Sequence, residues 1–330
     1  MPPVSILVTG GAGYIGSHTV ARLVEAGRDV VVVDTLELGH AGALAGVPFV
    51  RADVADRAAI ASVIEEHDVD AVVHFAAYKA VGESMRDPGR YFANNVGGTN
   101  ALLDTLRLAG VDRFVFSSTC AVYGTVDRLP IDETLPVHPE SVYGETKALV
   151  ERILGWYDIC HRLRSVSLRY FNAAGASLDG SIGEDWSMSE NLIPLVMKTL
   201  LGRQKRLEVY GTDYPTPDGT NIRDYVHVVD LADAHLRALE YLEKGGATTA
   251  VNLGTGTGSS VFEVIEAARR ASGKDIEPEL VGRRAGDPVA LYADAGLAKE
   301  LLGWVARYDL DDIVASAWRW HSTHPDGYGD

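Results

Sequence analysis

Tyr143 and Lys147 stand at the two ends of Tyr143-Gly-Glu-Thr-Lys147, a spacing that puts a phenol and an ammonium on one face of a helix. A cation beside a phenol favours the phenolate, so the pair predicts a tyrosine that exchanges protons closer to neutral pH than an isolated one. Upstream, Ser117-Ser118-Thr119 follows the apolar run Arg113–Phe116 and supplies a hydroxyl, on Thr119, able to bond the same substrate oxygen. Tyrosine and lysine at this spacing are common on surface helices. The pair therefore gains meaning only from the elements that position it.

The first of those elements is Ile6-Leu-Val-Thr-Gly-Gly-Ala-Gly-Tyr-Ile-Gly16. An apolar run too short for a helix meets a glycine cluster, and a helical spacing begins at Ile15, Val20 and Leu23, which predicts strand, tight turn, helix. Gly11, Gly13 and Gly16 fit G-x-G-x-x-G, the pattern that lets backbone N–H groups and a helix N-terminus approach a pyrophosphate. A second strand-like run, Asp29–Val33, ends at Asp34, where a carboxylate can accept both ribose hydroxyls and would repel a 2′-phosphate. NAD is therefore expected rather than NADP.

Beyond Asp34, strand-like Val47–Ala52 and Ala71–Phe75 alternate with a helical Asp56–His67. A helix over about Arg90–Ala109, stopped by Gly110, precedes Arg113–Phe116; a helix near Tyr143–Cys160 precedes the strand Ser165–Arg169. Such alternation predicts an α/β fold, a Rossmann-type doubly wound parallel sheet. From Ala173 the texture loosens, and the helix beginning near Asn191, strand Leu207–Tyr210 and helices at Val261–Ser272, Asp294–Leu302 and Leu310–His324 predict a smaller, discontinuous α/β domain. The expected division is residues 1–172 for the cofactor and 173–330 for the substrate. The segment 222–254, with helix Val229–Lys244 and strand Thr249–Leu253, is expected to return to the first sheet.

The totals narrow the function classes. A net charge of −16 argues against nucleic acid and anionic membranes as general partners, since both attract positive surfaces. Only Cys120 and Cys160 occur, too few for a disulfide framework, which suits a reducing, cytoplasmic setting. No run is long enough to span a membrane, and the N-terminus enters the first strand without a signal-like stretch. The histidines show no metal-binding spacing, so no metal is expected. Gly254-Thr-Gly-Thr-Gly258 has no acid after it like Asp34 and reads as a structural turn. Cys120 lacks an adjacent base and reads as packing, and the five tryptophans read as core or interface.

Taken together, Thr9–Gly16, Asp34, Ser117–Thr119 and Tyr143-x-x-x-Lys147 resemble the extended short-chain dehydrogenase/reductases. More narrowly, His74-Phe-Ala-Ala-Tyr-Lys-Ala-Val-Gly-Glu-Ser84, Leu168–Asn172, Gly211–Gly219, Arg223–His227 and Arg283-Arg-Ala-Gly-Asp287 resemble the UDP-glucose 4-epimerase family. The likeness runs from the first strand to His324-Pro-Asp-Gly-Tyr328. It implies NAD held by Gly10, Gly13, Tyr14, Ile15, Gly16, Asp34 and Ser117, with Asp53 and Val54 beside the adenine. Phe75, Ala76, Ala77 and Lys79 would follow the phosphates, and Asn94 and Phe171 the nicotinamide.

The resemblance places a uridine diphosphate sugar against Asn172, Asn191, Leu192, Leu207, Val209 and Tyr210, with Arg223, Tyr225, Arg284 and Asp287 at the diphosphate; Lys79, Thr119, Tyr143 and Phe171 would also meet the substrate. Guanidinium suits that task in an otherwise acidic chain. The implied reaction inverts C4 of the hexose through a 4-keto sugar. Tyr143 takes the hydroxyl proton with help from Thr119, and Lys147 keeps the phenolate accessible. The implied assembly is a homodimer pairing the helices around Tyr91–Ala109 and Tyr143–Cys160.

Three departures stand out. Thr119 replaces the commoner Ser but keeps the hydroxyl. Ala77 and Tyr78 replace the commoner Gly and Leu. Leu291 stands where some relatives carry the Tyr linked to exclusion of N-acetylhexosamines, so N-acetylated substrates are expected as well. Rival readings are a sugar-nucleotide 4,6-dehydratase or decarboxylase, and a non-catalytic NAD-sensing regulator. Cys120 and Ala121 occupy the places where dehydratases carry an Asp-Glu pair, and both Tyr143 and Lys147, which regulators tend to lose, are present.

Overall fold

Ile6-Leu7-Val8 and Val30-Val31-Val32-Val33 are apolar at every position and buried at every position, as strands covered on both faces must be. The computed structural model describes residues 5–44, 46–187, 189–284 and 286–329. Seven strands form one sheet: β1 (Ser5–Thr9), β2 (Asp29–Asp34), β3 (Phe49–Arg51), β4 (Val69–His74), β5 (Arg113–Ser117), β6 (Arg164–Tyr170) and β7 (Thr249–Leu253). All pairings are parallel, in the order β3-β2-β1-β4-β5-β6-β7. The chain thus winds outward in both directions from the boundary between β1 and β4. This is a Rossmann-type doubly wound sheet, and ligands of such sheets lie in the crevice at that boundary, beyond the strands' C-terminal ends.

Side chains alternate across the pleat, so one face of the sheet buries Ile6, Val8, Val32 and Val73 with Leu231 and Leu239 of the helix Val228–Glu243. The other face buries Leu7, Val31, Val72 and Phe114 with Ile60, Leu102 and Leu154. A third core joins Trp186, Ile193, Val196, Leu207, Val209, Val264 and Ile313. Short pairings frame it: Asn172–Ala174 with Tyr225–His227, Glu208–Tyr210 with Glu279–Val281, and Ile222–Arg223 with both Ser259–Ser260 and Ala290–Leu291.

The expected continuous helix over Arg90–Ala109 is interrupted. It divides into Pro88–Tyr91, a π-helical stretch Phe92–Gly98 and an α-helix Thr99–Ala109 ended by Gly110 at φ +80°. Such π stretches are frequent at functional sites, and here the bulge turns the Asn95 side chain inward. The helix expected from Asp294 starts at Gly296. Trp304 and Trp320 are core residues, but Trp156, on the helix Val142–His161, is 65% exposed. Among the described residues, no helix is long and apolar enough to cross a membrane.

Candidate active site

The turn after β1 and the start of its helix leave no room for a Cβ at Gly10 or at Gly16. Gly10 has φ +72°, and a Cβ there would lie 2.5 Å from Ala76 N; a Cβ on Gly16 would lie 2.2 Å from Gly10 O. At Gly13 a Cβ would meet nothing of the protein closer than 3.4 Å, so that glycine keeps clear a space on the ligand side. Gly13 caps the helix Tyr14–Glu25 without a side-chain bond, which leaves helix N–H groups for an anion. Asp34 accepts from Ala12 N at 3.0 Å and Leu36 N at 2.9 Å, locking its carboxylate beside the loop. The donor set fits a dinucleotide.

The other expected cofactor residues differ in how firmly the protein holds them. Phe75 N and Ala76 N both donate to Thr9 O, which ties the Phe75–Lys79 segment, Ala77 included, to β1. Ile15 packs against the sheet core, and the Tyr14 hydroxyl donates to Gly175 O at 2.6 Å. Asp53 accepts from Ala55 N at 2.7 Å, while Val54 is buried against Gly98. Asn94 donates to Asn95 Oδ1 at 2.9 Å. Lys79 is 66% exposed, with Nζ 3.9 Å from Glu184 Oε1.

Glu184 was not anticipated. It is buried, its Oε1 has no hydrogen-bond partner, and burial pushes its carboxyl pKa up while Lys79 pulls it back. An acid in a glycine- and serine-rich loop carries no periodic signal by which sequence could have marked it.

The helix Val142–His161 begins at Ser141, whose side chain accepts from Gly144 N. A Cβ on Gly144 would lie 2.5 Å from Ala121 O, so glycine there lets the first helical turn lie against the Cys120–Val122 turn that follows β5. That contact brings Tyr143 to Thr119. Ser84 adds a second anchor, accepting the Tyr143 backbone N–H at 3.1 Å. Thr119, Ser117 and Lys147 are all buried.

The electrostatics differ from expectation. Burial pushes the Tyr143 phenol well above its ordinary pKa, Tyr170 adds to the rise, and a hydrogen bond with Thr119 opposes it. Lys147 Nζ donates to the Ser117 carbonyl at 2.8 Å and stands 5.9 Å from the centre of the Tyr143 ring. Burial lowers its own pKa to about 7, with Glu151 pulling it up. The spacing of i and i+4 sets both groups on one face, as expected, but in the chain by itself burial, rather than the ammonium, governs how readily the phenol ionises. Ser117 Oγ bonds the Tyr170 hydroxyl. Burial pushes the Cys120 thiol up to about 12, consistent with an inert packing residue.

Across the crevice, Arg223 donates to the Ile222 and Pro288 carbonyls at 2.8 and 2.9 Å. Asp287 lies 3.8 Å from Arg223 and 3.6 Å from Arg284, so one carboxylate braces two guanidiniums. The guanidinium of Arg284, 61% exposed, is 4.7 Å from the Tyr210 ring centre. Tyr225 is buried near Arg223. Asn172 N donates to Asp224 O, and Asn191 stands at the N-cap of the helix Leu192–Leu200 without a side-chain capping bond, with Leu192 packed on the third core. The side chains of Leu207 and Val209 face that core, each 1% exposed, so neither offers its side chain to a ligand. Leu291 and Phe171 pack in one cluster with Tyr123 and Ala293.

The sequence profile described as the NAD dependent epimerase/dehydratase family matches residues 6–254. A UDP-glucose 4-epimerase of Streptococcus mutans is 50% identical over 331 residues, covering 99% of each chain. The crystal structure of UDP-glucose 4-epimerase from Brucella ovis in complex with NAD superposes with a TM-score of 0.94 at 48% identity, covering 96% of this chain and 97% of that one. The UDP-Glc/GlcNAc 4-epimerase from Campylobacter jejuni superposes with a TM-score of 0.86 at 38% identity, covering 97% and 99%. A glycine loop built for a dinucleotide, a doubly wound sheet and full-length likeness at this level agree: the chain belongs to the NAD dependent epimerase/dehydratase family.

Proposed function

We propose that this protein interconverts UDP-glucose and UDP-galactose by inversion at C4. The observation that carries the reading is the hydrogen bond between Tyr143 and Thr119, with Lys147 tied to the Ser117 carbonyl on the same helix, together with the Arg223–Asp287–Arg284 brace. The brace anchors the diphosphate, and the hexose reaches the phenol. Tyr143 takes the C4 hydroxyl proton and returns it, and Thr119 donates to the same oxygen. Lys147 holds the end of β5 through the Ser117 carbonyl. NAD, held by the glycine loop and Asp34, supplies when bound the acceptor and donor for the C4 hydride and a positive charge able to offset the desolvation of the phenol.

Three finer readings go with this. Leu291, half-buried beside Phe171, lacks the volume of a tyrosine ring, so the pocket admits UDP-N-acetylglucosamine and UDP-N-acetylgalactosamine; the likeness to the Campylobacter jejuni enzyme supports this. Residues 1–172 with 222–254 act as the NAD domain and 173–330 as the UDP-sugar domain. Leu108, Trp156 and Ile159, exposed by 68, 65 and 74%, are covered by the same helices of a second copy in a cytoplasmic homodimer, which sedimentation of wild type and Trp156→Glu tests.

The deciding experiment incubates purified protein with UDP-galactose and, separately, UDP-N-acetylgalactosamine, without added NAD, and identifies the sugars formed. Both should be converted, and Tyr143→Phe should lose turnover by roughly a thousandfold or more while keeping its NAD. No conversion of UDP-galactose would sink the reading; conversion of it alone would remove only the N-acetyl extension.

A further inference from the structure

Two loops flank the glycine turn. One follows β2 and carries Glu37; the other follows β4 and carries Tyr78. Both strands neighbour β1, so the two loops rise on either side of the turn, from strands about 9.5 Å apart. Their side chains nevertheless meet. The Tyr78 hydroxyl donates to Glu37 Oε2 at 2.7 Å. Arg90 Nη2 donates to Glu37 Oε1 at 2.7 Å, and the Arg90 guanidinium stands 4.0 Å from the centre of the Tyr78 ring. Each of the three residues therefore contacts the other two.

The triangle has a firm base. Tyr78 N donates to Asn95 Oδ1 at 2.9 Å, and Asn95 Nδ2 donates back to Tyr78 O at 3.0 Å and to Thr146 Oγ1 at 3.1 Å. Asn95 is buried in the π-helical stretch, and Thr146 lies on the helix of Tyr143. Tyr78 is thus fixed through its backbone, leaving its ring to reach sideways. A leucine at 78, the commoner residue, has no hydroxyl to complete the bond.

We propose that Tyr78, Glu37 and Arg90 form a clasp over the cofactor crevice that slows the escape of bound NAD. This rests on the cofactor reading above. The crevice of a doubly wound sheet opens at the switch between β1 and β4, and the clasp joins the strands on both sides of β1 above it. Glu37 alone would repel a pyrophosphate. Arg90 offsets part of that charge, and a second bond from Arg90 to Glu83 at 2.7 Å holds the guanidinium in place. Because Glu37 and Arg90 are 48 and 39% exposed, the clasp is wet on its outer side, so it restrains NAD without sealing it in.

The test is NAD release. Wild type, Tyr78→Phe, Glu37→Gln and the double variant are loaded with radiolabelled NAD, and label loss is followed after adding excess unlabelled NAD. Each single variant should release label roughly three- to tenfold faster than wild type. The double variant should be no faster than Glu37→Gln alone, because Tyr78→Phe removes only the bond to the Glu37 carboxylate that Glu37→Gln already disrupts together with the Arg90 pairing. Release at the wild-type rate, or a double effect equal to the product of the two, overturns the clasp while leaving the cofactor reading intact. A wild-type protein that binds no NAD overturns both.

Discussion

The chain contains two glycine-rich turns that look alike on paper and serve opposite ends. Gly10–Gly16 follows β1 and Gly254–Gly258 follows β7; both lead toward helices, and both point N–H groups at a negative charge. At the first, the helix end has no side-chain cap, and the nearby carboxylate, Asp34, is fixed by Ala12 N and Leu36 N. At the second, the anion is already inside the protein. Asp224, fully buried, accepts from Thr255 N and Oγ1 at 2.8 and 2.6 Å, from Gly256 N at 3.4 Å and from Ala293 N at 3.1 Å. A Cβ on Gly254 would lie 2.4 Å from Asp224 Oδ2. An internal carboxylate has taken the place a phosphate could occupy, and the turn has become a staple between segments distant in sequence.

Four substitutions break or sharpen this contrast. Gly16→Ala forces a Cβ against Gly10 O and should weaken NAD binding at least about a thousandfold, some 4 kcal/mol, in a titration followed by nicotinamide fluorescence. Asp224→Asn leaves the second turn with mismatched donors and should cost about 2–3 kcal/mol in denaturant unfolding without lowering NAD content. An effect on NAD equal to that of Gly16→Ala would erase the distinction.

The third concerns the charge behind the first turn. Lys147 has a folded pKa lowered to about 7, against about 10.4 unfolded. Below pH 7 both states hold the proton. Above it the unfolded state binds more protons, so stability rises with pH until the unfolded lysine also titrates. Wild type should therefore gain about 2 kcal/mol relative to Lys147→Met between pH 7 and 8.5, measured as the difference between their unfolding free energies. A flat difference would mean that Lys147 keeps an ordinary pKa. The smallest effect belongs to Gly256→Ala: at φ +88° with only Ala293 O nearby, at 3.7 Å, it should cost about 1 kcal/mol of stability and no NAD.

The glycine loops also show how far local reading reaches. Strand, turn and helix at 6–16 were legible because their signals are periodic and contiguous, and the lack of an acid after Gly258 correctly separated the second turn from the first. The partner that fills that second turn was not legible, since Asp224 precedes it by a whole helix and two strands. The same limit applies at the chemistry. The spacing of Tyr143 and Lys147 set them on one face, yet the ammonium bonds Ser117 O and the phenol is made harder to ionise. Desolvation depends on what packs around a group, and no i, i+4 rule contains it.

What the chain's residues determined unaided was therefore the alternation that makes a doubly wound sheet, the dinucleotide turn, the acid at Asp34 and the tyrosine–lysine helix, all encoded within a few turns or strands of backbone. Tertiary structure alone decided the side-chain partners: the π-helical break at Phe92–Gly98, the orphaned oxygen of Glu184, the inward facing of Leu207 and Val209, and the bridge from Glu37 to Tyr78. Hydrogen bonding and burial there depend on groups brought together from distant parts of the chain, and it is that packing which sets which charges are stabilised and which donors stay open to a ligand.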